Sequence, residues 1–354
     1  MGRRPSGRRN LVLTLGAGVF VALAVLGVAG GLGRDDEGPD PARQPDEQWN
    51  LDLVGAPDAW PTTTGEGVVI AIVDSGVDSR HPDLRDRLAG SVDCVGADGD
   101  PERCGPGGDT DPDGHGTHVA GIALARADNS RGVAGVAPGA TLLSVRALLP
   151  DRCDRRPCGA TGRAGDVAAG IRWAVAEGAD VVNLSLGAAI DGSDDLLAAI
   201  AEADRAGVAV VVAGPSGASG DDVVVTGAAV VVTAVDDQRR LAPYARGTGD
   251  EAIGLAAPGG DARAPTGDGC DGDHAILSDL PVPGGETDAT GCLVGTSMAA
   301  PHVSGAIALL VATGLSPREA VERLVATADD LGARGPDERY GAGLVDIPAA
   351  LDAG

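Results

Sequence analysis

Residues 68–78 read VVIAIVDSGVD, six apolar positions in unbroken succession and then Asp74. A strand that is apolar at every position, rather than at every second one, is a strand covered on both faces. Runs of the same kind recur as TLLSVRAL (141–148), DVVNLSLG (180–187), VAVVVAG (208–214) and VVVTAV (230–235). Between them GTHVAGIALARA (116–127), AGDVAAGIRWAVAEGA (164–179) and DDLLAAIAEADRAG (194–207) space their apolar residues as helices do, the last stopping at Gly207 as a C-cap. Strand alternating with helix predicts an α/β fold: three layers, a doubly wound, mostly parallel sheet with helices on both faces. In such a sheet ligands bind beyond the carboxyl ends of the strands. Asp74 stands at one of those ends.

Composition removes several function classes. The net charge of −25 leaves no basic face for nucleic acid or an anionic membrane surface. All 27 basic residues are arginine, so Schiff-base chemistry and a P-loop lysine are both excluded. Residues 1–10 carry four arginines and residues 11–33 are uncharged, the pattern of an export segment. Two readings of residues 1–33 stay open, a cleaved signal peptide and an N-terminal signal anchor. In both, the rest of the chain is extracytoplasmic, either secreted or anchored to the membrane by that segment alone. Residues 34–48, charged and proline-rich, read as a flexible linker, and residues 49–354 as the folded domain. The six cysteines fall as local pairs, Cys94 with Cys104, Cys153 with Cys158 and Cys270 with Cys292. Three disulfides suit an oxidising compartment, although sequence permits other connectivities. Zinc fits these cysteines poorly, because no CxxC spacing occurs.

Three segments carry the chemistry. The first is Asp74 at its strand end. The second is DGHGTHVAG (113–121), with His115 and His118 flanking the first turn of a helix. As a metal motif HxxH is thin, since the glutamate of HExxH is missing. The preceding DTDPDG (109–114) starts like a calcium loop, but the twelfth position from Asp109 is Ala120 and not a bidentate acid. The third is GTSMAAPHVSGAIALLVATG (295–314), where Ser297 opens an apolar helix. Asp, His and Ser in this order match the subtilisin arrangement of a nucleophile, its base and the carboxylate that orients the base.

From about Trp49 onward the chain resembles the subtilase, or subtilisin-like, serine peptidases. IVDSGVD, GHGTHVAG and GTSMAAPHVSG carry the likeness, supported by GVAGVAPGATLLSVRAL (132–148), VVNLSLG (181–187), LAAPG (255–259) and YGAGLVDIPAAL (340–351). The resemblance implies a serine endopeptidase with Ser297 as nucleophile, His115 as general base and then acid, and Asp74 orienting His115. It implies a cleft in which Ser185, Leu186 and Gly187 line one side, Gly162, Arg163 and Ala164 the other, with Ala213 and Gly214 at its floor. The implied partner is an extended peptide or protein substrate, bound by a monomer. No cofactor is required for the chemistry, while structural calcium is frequent in the family. His81 matches a loop histidine of the family, His118 and His302 are expected to pack within their helices, and His274 has no assigned role.

The likeness breaks at two places. The family's oxyanion hole uses the amide of an asparagine in a stretch reading AGN, and here residues 213–215 read AGP. Pro215 has neither side-chain amide nor N–H to donate. The only asparagines are Asn10, Asn50, Asn129 and Asn183, so no shift of alignment supplies one. Losing such a donor typically costs about 10²- to 10³-fold in turnover. The Ser297 N–H, the Thr296 hydroxyl and replacement donors at Ser216 or Ser219 remain as oxyanion partners. The alternative is a catalytically impaired, peptide-binding or scaffold module. The second break is the linker, which is too short to hold the pro-domain common in exported relatives.

Overall fold

The computed structural model describes residues 12–14, 48–127, 129–153, 156–186, 193–217, 228–249, 253–261, 263, 274–282 and 288–353. Three residues of the apolar N-terminal run form β1 (Val12–Thr14), and two short helices follow, α1 (Trp49–Val54) and α2 (Ala56–Ala59). The main strands are β2 (Val69–Asp74), β3 (Leu88–Asp93), β4 (Thr141–Arg146), β7 (Val181–Leu184), β8 (Ala209–Ala213), β9 (Val230–Val235) and β10 (Ile253–Pro258). They form one parallel sheet in the order β10-β9-β8-β7-β2-β4-β3, the α/β architecture that the strand and helix alternation predicts. Two antiparallel pairs stand apart from it, β5 (Leu148–Cys153) with β6 (Arg156–Arg163) and β11 (Ile276–Asp279) with β12 (Thr290–Leu293). β1 lies antiparallel to the free side of β6, opposite Thr161, Gly162 and Arg163.

The helices α3 (His115–Leu124) and α6 (Thr296–Val311) cover one face, and α4 (Ala164–Ala176) and α5 (Asp194–Arg205) the other. The pleat sorts β2 between them: Ile70 and Ile72 join the core under α3 and α6, whereas Ala71 and Val73 join the core under α4 and α5. Helix α5 buries Leu196, Ala199, Ile200 and Ala203, a single stripe, and is capped by the Ser193 hydroxyl. Helix α6 is different. Nearly every residue from Thr296 to Leu310 is buried, so it runs through the core rather than along its surface. Helices α7 (Pro317–Thr327) and α8 (Ile347–Asp352) close that side, α7 beginning with a capping box of Ser316 and Glu319.

Strands β3 and β10, at the two edges of the sheet, escape the apolar-run reading, β10 because IGLAAP holds few large apolar residues. Strand β3, LAGSVD, is an edge strand with partly exposed positions and a glycine, and so lacks the continuous apolar signal. The run 141–148 is also divided: β4 ends at Arg146, and Leu148 already belongs to β5. Cys94 and Cys104 form a disulfide. Cys292 is also disulfide-bonded, to a partner outside the described residues, as are the side chains of Cys153, Cys158 and Cys270. Residues 1–11 and 15–47, most of the stretch expected to hold an export segment and a linker, lie outside them too. Among the described residues no helix is long and apolar enough to cross a membrane.

Candidate active site

Strand parity brings the site together. Continuing the β2 alternation past Ile70 and Ile72 puts Asp74 on the face that carries α3 and α6. The neighbouring β7 is in register, with Ile72 opposite Asn183, so Asn183 shares that face, and Ser185 follows two residues on. The sheet order reverses between β2 and β7, since β3 and β4 extend to one side and β8 to β10 to the other. The crevice at this switch point is where a doubly wound sheet binds its ligand.

His115 is the first residue of α3 and is 3 % exposed, while Asp74 is fully buried. His115 Nδ1 lies 2.8 and 3.0 Å from the two oxygens of Asp74, which makes Nδ1 the donor and leaves Nε2 as the basic nitrogen. Burial alone pushes the imidazole pKa down, but Asp74, with help from Asp113 and Asp111, holds it above the ordinary histidine value. Asp113, two residues upstream, is itself raised to about 6, chiefly by burial.

The helix that carries His115 is fixed by an acid of the DTDPDG stretch just before it. Asp111 accepts from the Ser75 hydroxyl at 2.9 Å, the Thr117 hydroxyl at 2.7 Å, and the N–H groups of Asp113, Gly114 and Thr117 at 2.8–3.1 Å. It thereby satisfies the amides at the start of α3 and ties them to the residue after Asp74. Those bonds also exhaust its lone pairs. The DTDPDG loop therefore does not fit calcium, which needs several free oxygens.

Ser297 is the second residue of α6. Its hydroxyl donates to the Ser185 carbonyl at 3.0 Å, and the Ser185 hydroxyl donates to the Ser297 carbonyl at 2.7 Å. Behind them Asn183 donates to Ser185 at 2.9 Å and accepts from Ser304 at 2.8 Å. Asn183 and Ser304 were missed because buried amides and hydroxyls leave no periodic signal; only the β7 register to Ile72 points at Asn183. Leu186 is buried beside this network, and Gly187 lies outside the described residues. Gly162 and Arg163 end β6, whereas Ala164 is the first residue of α4, because the backbone turns helical there.

Ala213 ends β8, and Gly214 donates to the Val232 carbonyl. Pro215 and Gly217 are tied to the segment 244–246: Arg246 N–H donates to Pro215 O at 3.1 Å, and Gly217 N–H to Tyr244 O at 2.9 Å. Ser216 sits between these two bonds, and its hydroxyl has no partner among the described residues. Ser219 lies outside them. Of the other histidines, His118 Nε2 reaches the carbonyls of Ile276 and Gly291, away from its own helix. His302 bonds the Met298 carbonyl within α6 and the Asn50 amide outside it. His274 lies 3.6 Å from Asp237.

Comparison with known proteins bears on the same residues. A model of the subtilase family matches residues 65–343, which includes Asp74, His115 and Ser297. Thermitase of Thermoactinomyces vulgaris is 34% identical over 290 residues, 81% of this chain and 90% of its own length. Subtilisin DY of Bacillus licheniformis is 33% identical over 294 residues, 81% of this chain and 91% of its own. A solved protease structure from Pseudoalteromonas arctica PAMC 21717 superposes with a TM-score of 0.68 at 29% identity, covering 89% of this chain and 99% of that one. With the sheet, the Asp74–His115 pair and the helix-borne Ser297 in the family's order, the chain belongs to the subtilase family of serine proteases.

Proposed function

We propose that the protein is an exported serine endopeptidase that cleaves extended peptides through an acyl-enzyme. Ser297 Oγ attacks the scissile carbonyl while His115 Nε2 takes its proton, and the imidazolium returns that proton to the leaving amine. Asp74 fixes the His115 tautomer and stabilises its charged form. The carrying observation is the buried Asp74–His115 pair at 2.8 Å, with the opposite ring nitrogen left basic. Such a pair is needed by a serine nucleophile and by no peptide-binding groove.

The substrate lies between the end of β6 and the segment after β7, pairing with both as an added strand. That β6 takes an antiparallel strand on this side, Val12–Thr14, supports the reading. The oxyanion is met by the Ser297 N–H with hydroxyl help from Thr296 and Ser216, in place of the asparagine that Pro215 replaces. Turnover is accordingly attenuated. The chemistry requires no cofactor, structural calcium is a habit of the family, and the monomer suffices. Export rests on the four arginines and the uncharged residues 11–33. The domain proper spans 49–354, stapled by disulfides at Cys94–Cys104, Cys153–Cys158 and Cys270–Cys292.

The second reading, a groove without useful turnover, draws on Pro215 and on the Ser297 hydroxyl pointing to Ser185 O. A fluorophosphonate probe separates the two. Ser297 in the folded wild type is labelled and the Ser297→Ala variant is not; a folded wild type that stays unlabelled refutes the peptidase reading.

A further inference from the structure

Away from the cleft, His81, Asp83 and Asp279 meet in the interior, each 0 % exposed. Each offers one ligand-type atom, and these atoms lie within 4.8 Å of one another. His81 and Asp83 belong to the turn after β2, and Asp279 ends β11. His81 Nε2 is 3.1 Å from the Ala289 carbonyl, an acceptor, so Nε2 carries the proton and Nδ1 presents a lone pair. That lone pair faces Asp279 Oδ2 at 3.6 Å, relieved only by the Asp83 N–H at 3.3 Å.

No N–H or hydroxyl donor reaches either oxygen of Asp279, whose side-chain neighbour is the Asp83 carboxyl, an acceptor too unless the pair holds a proton. Asp83 is better held, accepting from the Asn129 amide and from the Val133 N–H at 3.1 Å. Two glycines keep the space for the carboxylates: a Cβ on Gly132 would lie 1.9 Å from Asp83 Oδ2, and one on Gly121 2.9 Å from Asp279 Oδ2. The surrounding charge adds to the problem. Asp78 and Asp288 are the other ionisable groups acting on the cluster, and both are acidic. Among the described residues no arginine pairs with Asp83 or Asp279, and Arg131 goes to Asp288 at 3.6 Å.

Burial pushes the Asp83 and Asp279 carboxyls above their ordinary range, a sign of how costly two bare charges are here. A single proton neutralises one carboxylate and leaves the ring nitrogen facing the other acceptors. A divalent ion answers all three at once. One imidazole nitrogen with two carboxylates is not the shell of six to eight oxygens that calcium takes; it is a donor set of the zinc type, with a fourth position for water or a carbonyl. We propose that His81 Nδ1, Asp83 and Asp279 form a buried structural site for a zinc-class divalent ion, clamping the turn after β2 to the end of β11.

The test uses the full chain carrying Ser297→Ala, which prevents self-digestion, stripped with a chelator and then given zinc chloride. Retained metal is counted by atomic emission after gel filtration, and melting is followed with and without zinc. The expected result is one zinc per chain and a melting point higher by about 5 °C. Asp279→Asn keeps the side-chain shape without the charge, and should remain folded while losing both effects. The proposal is overturned if the stripped protein retains no zinc and melts unchanged, if Asp279→Asn retains zinc as the parent does, or if calcium alone reproduces the stabilisation.

Discussion

The carbonyl of Ser297 accepts the Ser185 hydroxyl at 2.7 Å because Pro301, four residues further along α6, has no N–H to offer it. A break in the helix ladder thus becomes the anchor of Ser297, the proposed nucleophile. Ser185→Ala leaves that partly buried carbonyl without its side-chain partner, a penalty of at most about 3 kcal/mol. We expect kcat/KM on a peptide substrate to fall by about 10- to 100-fold with the fold retained, and an unchanged value would show that the anchor is dispensable.

Pro215 governs the second prediction. Pro215→Asn restores a side-chain donor next to Gly214 and should raise kcat by about 10²-fold with little change in KM, as expected of a bond made only in the transition state. Ser216→Ala should lower the kcat of the parent and leave that of Pro215→Asn nearly untouched. If neither substitution moves kcat, the oxyanion is stabilised elsewhere.

The acid limb of the pH profile tests the electrostatics of His115. As a base it must be neutral, so activity rises with pH through the His115 pKa, which Asp74 and Asp113 hold above the ordinary value. Asp113→Asn removes one of these negative charges. The midpoint of kcat/KM against pH should move to lower pH, and a shift upward would exclude Asp113 as a support of the imidazolium.

Two buried histidines give stability its own pH dependence in mild acid. Burial pushes His118 down to about 3 and His302 down to about 4, whereas in the unfolded chain both titrate near the usual histidine value. Between roughly pH 6.5 and 4 each of these two histidines therefore takes stability away as pH falls, by about 1.4 kcal/mol per pH unit, whereas the raised carboxyls of Asp113, Asp83 and Asp279 hold protons in the folded state and act in the opposite direction. Urea unfolding at a series of pH values measures the slope. His302→Gln should reduce it by one proton's worth whatever it does to the absolute stability.

Five strands of the central sheet, β2, β4, β7, β8 and β9, were legible because they are buried on both faces and announce themselves as apolar runs. The edge strand β3 is half exposed and β10, IGLAAP, is poor in large apolar residues, so neither carries that signature. Asp74, His115 and Ser297 were legible because each sits in a distinctive local sequence. Asp111, Asn183 and Ser304 were not, since their work depends on which residues the fold sets beside them: Asp111 looks like a failed calcium ligand until Ser75 and Thr117 surround it. Asp279 was hidden likewise, as an ordinary acid in a loop-rich stretch until β11 carries it against His81.

Because α6 runs through the middle of the core with Ser297 at its head, the proposed nucleophile has no surface location of its own. Its setting exists only after β2, β7 and α3 have closed around that helix. A chain still being made, or one that has come apart, therefore has no competent serine, and peptide-cutting power arrives together with the finished interior rather than before it.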